Sequence, residues 1–292
     1  RELDFSFMVS GLARFRVNLY SEQGHVGAVF RVIPLKISHI DKLGAPSVIK
    51  DLCNQTQGLI LVTGPTGSGK STLLAGMIEH INTSMDLHIV TAEDPIEFVF
   101  RHKKSIITQR ELHHDTESFS AALKAALRQD PDIILIGEMR DQETILAALK
   151  AAETGHLVLS TLHTTDAVQT INRIMNAFPP HEQNQIRMQL GNTLRACVAQ
   201  RLVPKASGMG RVAAHEVMVV TPTIKDFILK NQIDGIYEAI PMGSYDGMQT
   251  MNMALYKHYQ ENSISLEDAL AYSDNQNELQ QMMRGAFHGS MR

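Results

Sequence analysis

The stretch LILVTGPTGSGKSTLL, residues 59–74, constrains this chain more than any other. It contains G-x-x-x-x-G-K-S in full, with Gly64, Gly69, Lys70 and Ser71 at the defining positions. Glycines let successive backbone N–H groups turn inward on phosphate oxygens, the lysine neutralises the β- and γ-phosphates, and the serine hydroxyl can ligate Mg²⁺. An apolar strand-like run precedes the motif and a helical pattern follows it, so the anion meets a helix N-terminus. The loop Gly64, Pro65, Thr66, Gly67, Ser68, Gly69, Lys70, Ser71 and Thr72 is therefore the candidate nucleotide cradle. A phosphate loop in that setting belongs to an α/β fold with a parallel sheet.

The rest of the chain repeats the pattern. LHIVT (87–91), DIILIG (132–137) and HLVLST (156–161) read as buried strands separated by amphipathic helices. In 118–128, Phe119, Ala122, Leu123, Ala126 and Leu127 follow helical spacing, and Asp130-Pro131 ends that helix. A helix over 140–153 closes at Thr154-Gly155. QRLVP and GRVAAHEVMVV flank KASGMG as a late hairpin, and 222–292 reads as short helices whose methionines fill a core. Residues 1–33 alternate as strands, with Phe15 and Val17 on one face and Arg14 and Arg16 on the other. A connector follows around Pro34–Pro46. So few strands make a poor independent domain, which suggests a truncated module, and a start at Arg1 rather than Met is consistent with a missing upstream piece.

Composition removes several classes. A chain of 292 residues with 43% hydrophobic content can bury a large core. Its net charge of −4, with basic residues dispersed, argues against nucleic acid as partner. No apolar run approaches the roughly 20 residues of a transmembrane helix. Cys53 and Cys197 form no CxxC pair, so the chain reads as cytosolic, without a disulfide and without a tetracysteine zinc module.

Carboxylates cluster after the strands. Glu138 closes DIILIGE, where P-loop proteins place the acid that orients Mg²⁺ or the attacking water; the usual aspartate position holds Gly137. Glu93, Asp94 and Glu97 follow LHIVT, and three acids there are costly unless they face a cation, a water to be activated or arginine. Spacing does not decide which of them acts as base. His156 and His163 bracket a strand, about 20 Å or more apart if extended, so they cannot share one ion. The expected metal is Mg²⁺ carried with ATP on oxygen ligands, Ser71 and Glu138. A P-loop phosphotransferase and a nucleotide-binding assembly factor with little hydrolysis are the competing classes.

Gly64–Thr72, EDPIEF, LIGEMRD and TGHLVLSTLHTTDA occur in an order and spacing that resemble the secretion-type hexameric ATPases, and within them the type IV pilus retraction ATPases. GLARFRVN, GRVAAHE and NELQQMMRG extend the resemblance over nearly the whole chain. It implies a RecA-like P-loop ATPase core (51–235), a partial PAS-like α+β N-terminal domain (1–38), a linker (39–50) and a C-terminal helical region (236–292). It implies a homohexamer that hydrolyses ATP to drive pilus retraction and twitching motility, cytoplasmic and held at the inner membrane by a platform protein. In residue terms it makes Glu138 the Walker B acid and Glu93 and Glu97 the Asp-box acids beside Asp94. His163 becomes the His-box residue near the γ-phosphate, with His156 in support. Arg14, Arg16 and Arg31 become N-domain arginines that approach the nucleotide when the domains close. The retraction-signature helix A-I-R-N-L-I-R-E reads TIKDFILK here: Lys225 keeps the first positive charge, while Leu229 and Lys230 replace the Arg and Glu. That departure leaves an accessory or extension role as the alternative.

Overall fold

A computed structural model describes residues 2–33 and 36–285; Arg1, the first two residues of the connector and 286–292 lie outside the described residues. The N-terminal alternation produces an antiparallel sheet of β1 (Glu2–Val9), β2 (Ala13–Glu22) and β3 (His25–Ile33), in that order. Register sets Arg16 opposite Ser6 on one side and Arg31 on the other, so these three share a face. The opposite face is apolar, with the Phe7 and Phe15 rings stacked at 5.4 Å. The described residues 2–33 are all strand and turn; the helices implied by an α+β domain are not among them.

The larger sheet has strands β4 (Gly58–Thr63), β5 (His88–Glu93), β6 (Ile106–Glu111), β7 (Ile133–Ile136), β8 (Leu157–Leu162), β9 (Leu194–Pro204) and β10 (Arg211–Val219). Their order is β10-β9-β4-β8-β7-β5-β6, parallel except for the β9–β10 pair. All residues of β4, β7 and β8 are buried, which is why they read as unbroken apolar runs: helices cover both faces of a parallel sheet. Leu59 and Leu61 face one core with α4 (Gln142–Glu153), α5 (Ala167–Asn176) and α6 (Pro180–Thr193). Ile60 and Val62 face the other, with α1 (Val48–Cys53) and α2 (Lys70–Ser84).

Local chemistry sets the helix ends. α3 (Phe119–Ala126) starts where Ser118 accepts the Ala121 N–H, and α4 starts at 142 rather than 140 because Asp141 is extended and caps Thr144 at 2.8 Å. Gly155, at φ 104°, turns the chain out of α4 into β8. The expected hairpin exists as β9–β10, but β9 also pairs parallel to β4, so the hairpin extends the main sheet. Strand β6 went unread because IITQRE is half polar; it is an edge strand with Ile106 exposed.

Past the sheet lie α7 (Pro222–Leu229), α8 (Gly235–Met242), α9 (Met251–Gln260), α10 (Leu266–Ala271) and α11 (Gln276–Met283). Met248, Met251 and Met282 are buried as core residues. Within 39–50, Ile40, Val48 and Ile49 pack into the α2 side of the core, and past 235, Ile236 and Ile240 pack with α5 on the other side.

Candidate active site

The carboxyl ends of β4, β5, β7 and β8 converge on one cleft of about 580 Å³. Thr66, Gly67, Gly69, Lys70, Ser71 and Thr72 line one wall, and Glu93, Asp94, Glu97, Glu138 and His163 another. Gly64, Pro65 and Ser68 form the back of the loop rather than its lining.

The loop's glycines have backbone reasons to be glycine. Gly67 and Gly69 lie at φ 79° and 91°, the left-handed region, and the chain passes from Gly69 directly into α2. Lys70 Nζ donates to the carbonyls of Gly64 at 2.7 Å and Pro65 at 3.1 Å. Burial pulls its pKa below the ordinary lysine value, against the opposing charges of Glu138 and Glu97.

Glu138 stands between two donors, Arg140 Nη2 at 2.8 Å and His163 Nε2 at 3.1 Å. Burial alone would raise its pKa; the Arg140 hydrogen bond, with the charges of His163 and Arg140, outweighs burial and holds the carboxyl below its ordinary range. Thr161 Oγ1 donates to the Gly137 carbonyl at 2.6 Å, fixing the strand end that carries Glu138.

The acidic turn divides its labour. Glu93 Oε1 receives the Thr91 hydroxyl at 2.7 Å and Gln109 Nε2 at 3.1 Å, and burial pushes its pKa up despite these donors and the Glu97 backbone N–H. Asp94 is exposed at the cleft, and Glu97 is half-buried in its wall.

The three sequence-selected arginines part company. Arg16 and Arg31 line the cleft. Arg14 does not: its Nη2 pairs with Glu111 Oε2 at 2.7 Å and also bonds Ser6. Strand parity put Arg14 and Arg16 on one face, but Arg14 lies over β6 and meets its terminal carboxylate. Glu111 also accepts the Ile96 N–H at 3.1 Å, which ties the N-terminal sheet to the turn that carries Glu97.

His156 lies at the far end of β8 from His163, its Nδ1 3.0 Å from the Ala151 carbonyl. Lys225 lies on α7, which packs on α6 and α8 away from the cleft, with Ile224 and Ile228 buried and Phe227 half-buried.

Sequence reasoning missed Arg140 and Arg211, which line the cleft, and Glu111, Gln200 and His215, which support it. The signal for Arg140 was its place two residues after Glu138 in GEMRD; a single Arg, Gln or His within a strand carried none. Among the described residues no group of three or more His, Cys, Asp or Glu could hold a metal ion, and no helix is long and apolar enough to cross a membrane. Ser71 and Glu138 both line the cleft and offer the oxygen donors that Mg²⁺ takes when it travels with nucleotide phosphates.

A phosphate loop, a strand-end glutamate with a histidine, and an acidic turn on a RecA-like sheet define a P-loop ATPase. The family model for type II/IV secretion system proteins matches residues 28–284. The chain is 51% identical over 268 residues to the type IV pilus retraction ATPase PilT of Pseudomonas aeruginosa, covering 92% of this chain and 78% of that protein. It is 48% identical over 274 residues to a twitching motility protein of Neisseria gonorrhoeae, covering 94% of this chain and 73% of that protein. A crystal structure of the pilus retraction motor PilT with bound ADP superposes with a TM-score of 0.90 at 50% identity, covering 96% of this chain and 80% of that one. The chain belongs to the type II/IV secretion system protein family.

Proposed function

We propose that this chain is an ATP-hydrolysing motor of type IV pilus retraction, acting as a homohexamer on the cytoplasmic side of the inner membrane against a platform protein at the pilus base. The observation that carries this reading is that Arg16 and Arg31 of the N-terminal sheet share one cleft with Lys70, Glu138 and His163 of the core. Charge change at the nucleotide then acts directly on the position of a second structural unit, which a motor needs and a simple phosphotransferase does not.

In this reading the phosphate loop and Lys70 hold the β- and γ-phosphates, and Ser71 and Glu138 would hold Mg²⁺, which would neutralise phosphate charge. Glu97 takes the proton of the attacking water as the water oxygen bonds to the γ-phosphorus and the bond to the β–γ bridging oxygen breaks. Glu93 is occupied by Thr91, Gln109 and the Glu97 N–H, so it positions the turn. His163 and Arg140 keep Glu138 ionised and in place. Arg16 and Arg31 stabilise the transferring phosphoryl group, a role worth roughly 10³–10⁵ in rate.

The test has two stages. The purified hexamer should release phosphate from ATP with no acceptor present; no turnover would sink the motor reading. Deletion of the gene should abolish pilus retraction, restored by wild type and not by Lys70→Ala. One observation favours an accessory role instead: on α7, Leu229 seats against Gly191 and Lys230 pairs with Asp226 at 2.7 Å, so the polar face differs from the retraction signature. Normal retraction in the deletion strain would select that reading.

A further inference from the structure

Gln200, on β9, is buried behind the phosphate loop and touches it at three places. Its Nε2 donates to the Ser68 carbonyl at 2.7 Å. A Cβ added to Gly69 would lie 2.6 Å from that same Nε2, and one added to Gly64 would lie 2.4 Å from the Gln200 backbone oxygen. The loop is packed directly against this residue: the Gln200 backbone leaves no room for a side chain at Gly64, and its amide lies against Gly69.

Gln200 is itself held. His215, its cross-strand partner on β10, places Nε2 at 3.0 Å from Gln200 Oε1. The Ser68 bond fixes the amide with nitrogen toward the loop and oxygen toward His215, so His215 Nε2 must carry the hydrogen. Burial, with the charge of His258 on α9 adding to it, depresses the His215 pKa to about 4, which keeps the ring neutral, and the bond to Gln200 Oε1 then selects the tautomer.

The consequence follows from peptide geometry. In a planar trans peptide the C=O of one residue and the N–H of the next point in opposite directions. Drawing the Ser68 carbonyl back onto Gln200 turns the Gly69 N–H the other way, toward the cleft that Gly69 lines. We propose that Gln200, locked by His215, is a positioning residue that aims the Gly69 N–H at the nucleotide phosphates. Without it the Ser68–Gly69 peptide is free to rotate, and the loop must order itself each time nucleotide binds. The cost falls on binding and not on the chemical step, because Gln200 touches neither the acids nor His163.

The inference rests on the loop 64–69 being the phosphate cradle, and Lys70→Ala is the control for that. The experiment measures ADP affinity by calorimetry and KM and kcat for ATP in the intact hexamer. Gln200→Met keeps the length of the side chain and removes the donor without adding a charge; His215→Leu removes the lock and leaves Gln200. Gln200→Met should weaken ADP binding and raise KM by about tenfold or more, with kcat at saturation within about threefold of wild type. His215→Leu should move the same two quantities in the same direction by less. Gln200→Met binding ADP as wild type does, while Lys70→Ala loses it, would overturn the positioning role and leave the cradle intact. Lys70→Ala binding ADP normally would overturn the cradle itself. If Gln200→Met does not assemble, His215→Leu decides: unchanged KM refutes the proposal.

Discussion

Replacing Glu111 with alanine removes contacts to two structural units at once. Its carboxylate receives Arg14 Nη2 at 2.7 Å, the Ser6 hydroxyl at 3.3 Å and the Ile96 backbone N–H at 3.1 Å. Arg14 and Ser6 belong to the N-terminal sheet, and Ile96 to the acidic turn beside Glu97. The side chains of Arg14 and Glu111 retain only 16% and 9% exposure, so water replaces little of what is lost. A charge-assisted bond contributes about 1.5–3 kcal/mol and a stranded N–H costs about 1–3. Their sum, taken at its lower end because Arg14 can partly rehydrate, is about 2.5 kcal/mol, just under the range for breaking a buried pair. Arg14→Ala leaves the Ile96 bond intact and should cost only the charge-assisted bond, about 1.5 kcal/mol at the same lower end.

Global melting is a poor readout, because a chain with two sheets need not unfold in two states. Native-state hydrogen exchange resolves the effect. In Glu111→Ala, amides of β1–β3 should exchange on the order of 10²-fold faster, while those of β4 and β8 hold their rates. ATP turnover should fall as well, since the turn carrying Glu97 loses its anchor. If β1–β3 exchanged at wild-type rates, or if Glu111→Ala and Arg14→Ala were equal, the coupling through Ile96 would be refuted.

Glu138→Gln should bind nucleotide and lose about 10²–10⁴ in turnover, the several kcal/mol of charge stabilisation a metal-holding acid supports, read as phosphate release at saturating ATP. His163→Ala should lose turnover with little change in ADP affinity, whereas His156→Ala, at the other end of β8, should leave turnover of the isolated protein within about twofold and alter only retraction. The buried pair of neighbours on β10 gives opposite pH limbs. His215 titrates near 4 folded against 6.5 unfolded, so its contribution is present above 6.5 and lost as pH falls toward 4. Glu216 is pushed by burial to about 7 from 4.5, so its contribution is present below 4.5 and lost as pH rises through 7. Glu216→Gln, which keeps an acceptor for the Ala167 N–H, should therefore be more stable than wild type at pH 8 by on the order of 1–3 kcal/mol, seen as a raised thermal midpoint that wild type reaches only at lower pH.

The phosphate loop, the strands β4, β5, β7 and β8 and the acids at their ends were legible because each is a short-range signal. A buried parallel strand must be continuously apolar, a phosphate loop must be glycine-rich, and ligands bind where such strands end. β6 was not legible: as an edge strand it keeps polar residues, and IITQRE carries no period that separates it from a loop.

Strand alternation could say that Arg14 and Arg16 share a face, and nothing in the chain order could say which of them lines the cleft. That depends on how the small sheet docks: Arg14 falls over Glu111 at the end of β6, Arg16 over the cleft, with Arg31 brought beside it by register. The same holds for Gln200 and His215, two polar residues in apolar strands whose purpose exists only once β9 lies alongside β4 and the loop folds back on it. Sequence by itself determined the chemistry available and the sheet that presents it, because period and motif act over a few neighbours. Tertiary structure alone decided which charges line the cleft and which hold the scaffold, because contacts between residues a hundred positions apart are set by packing and not by spacing.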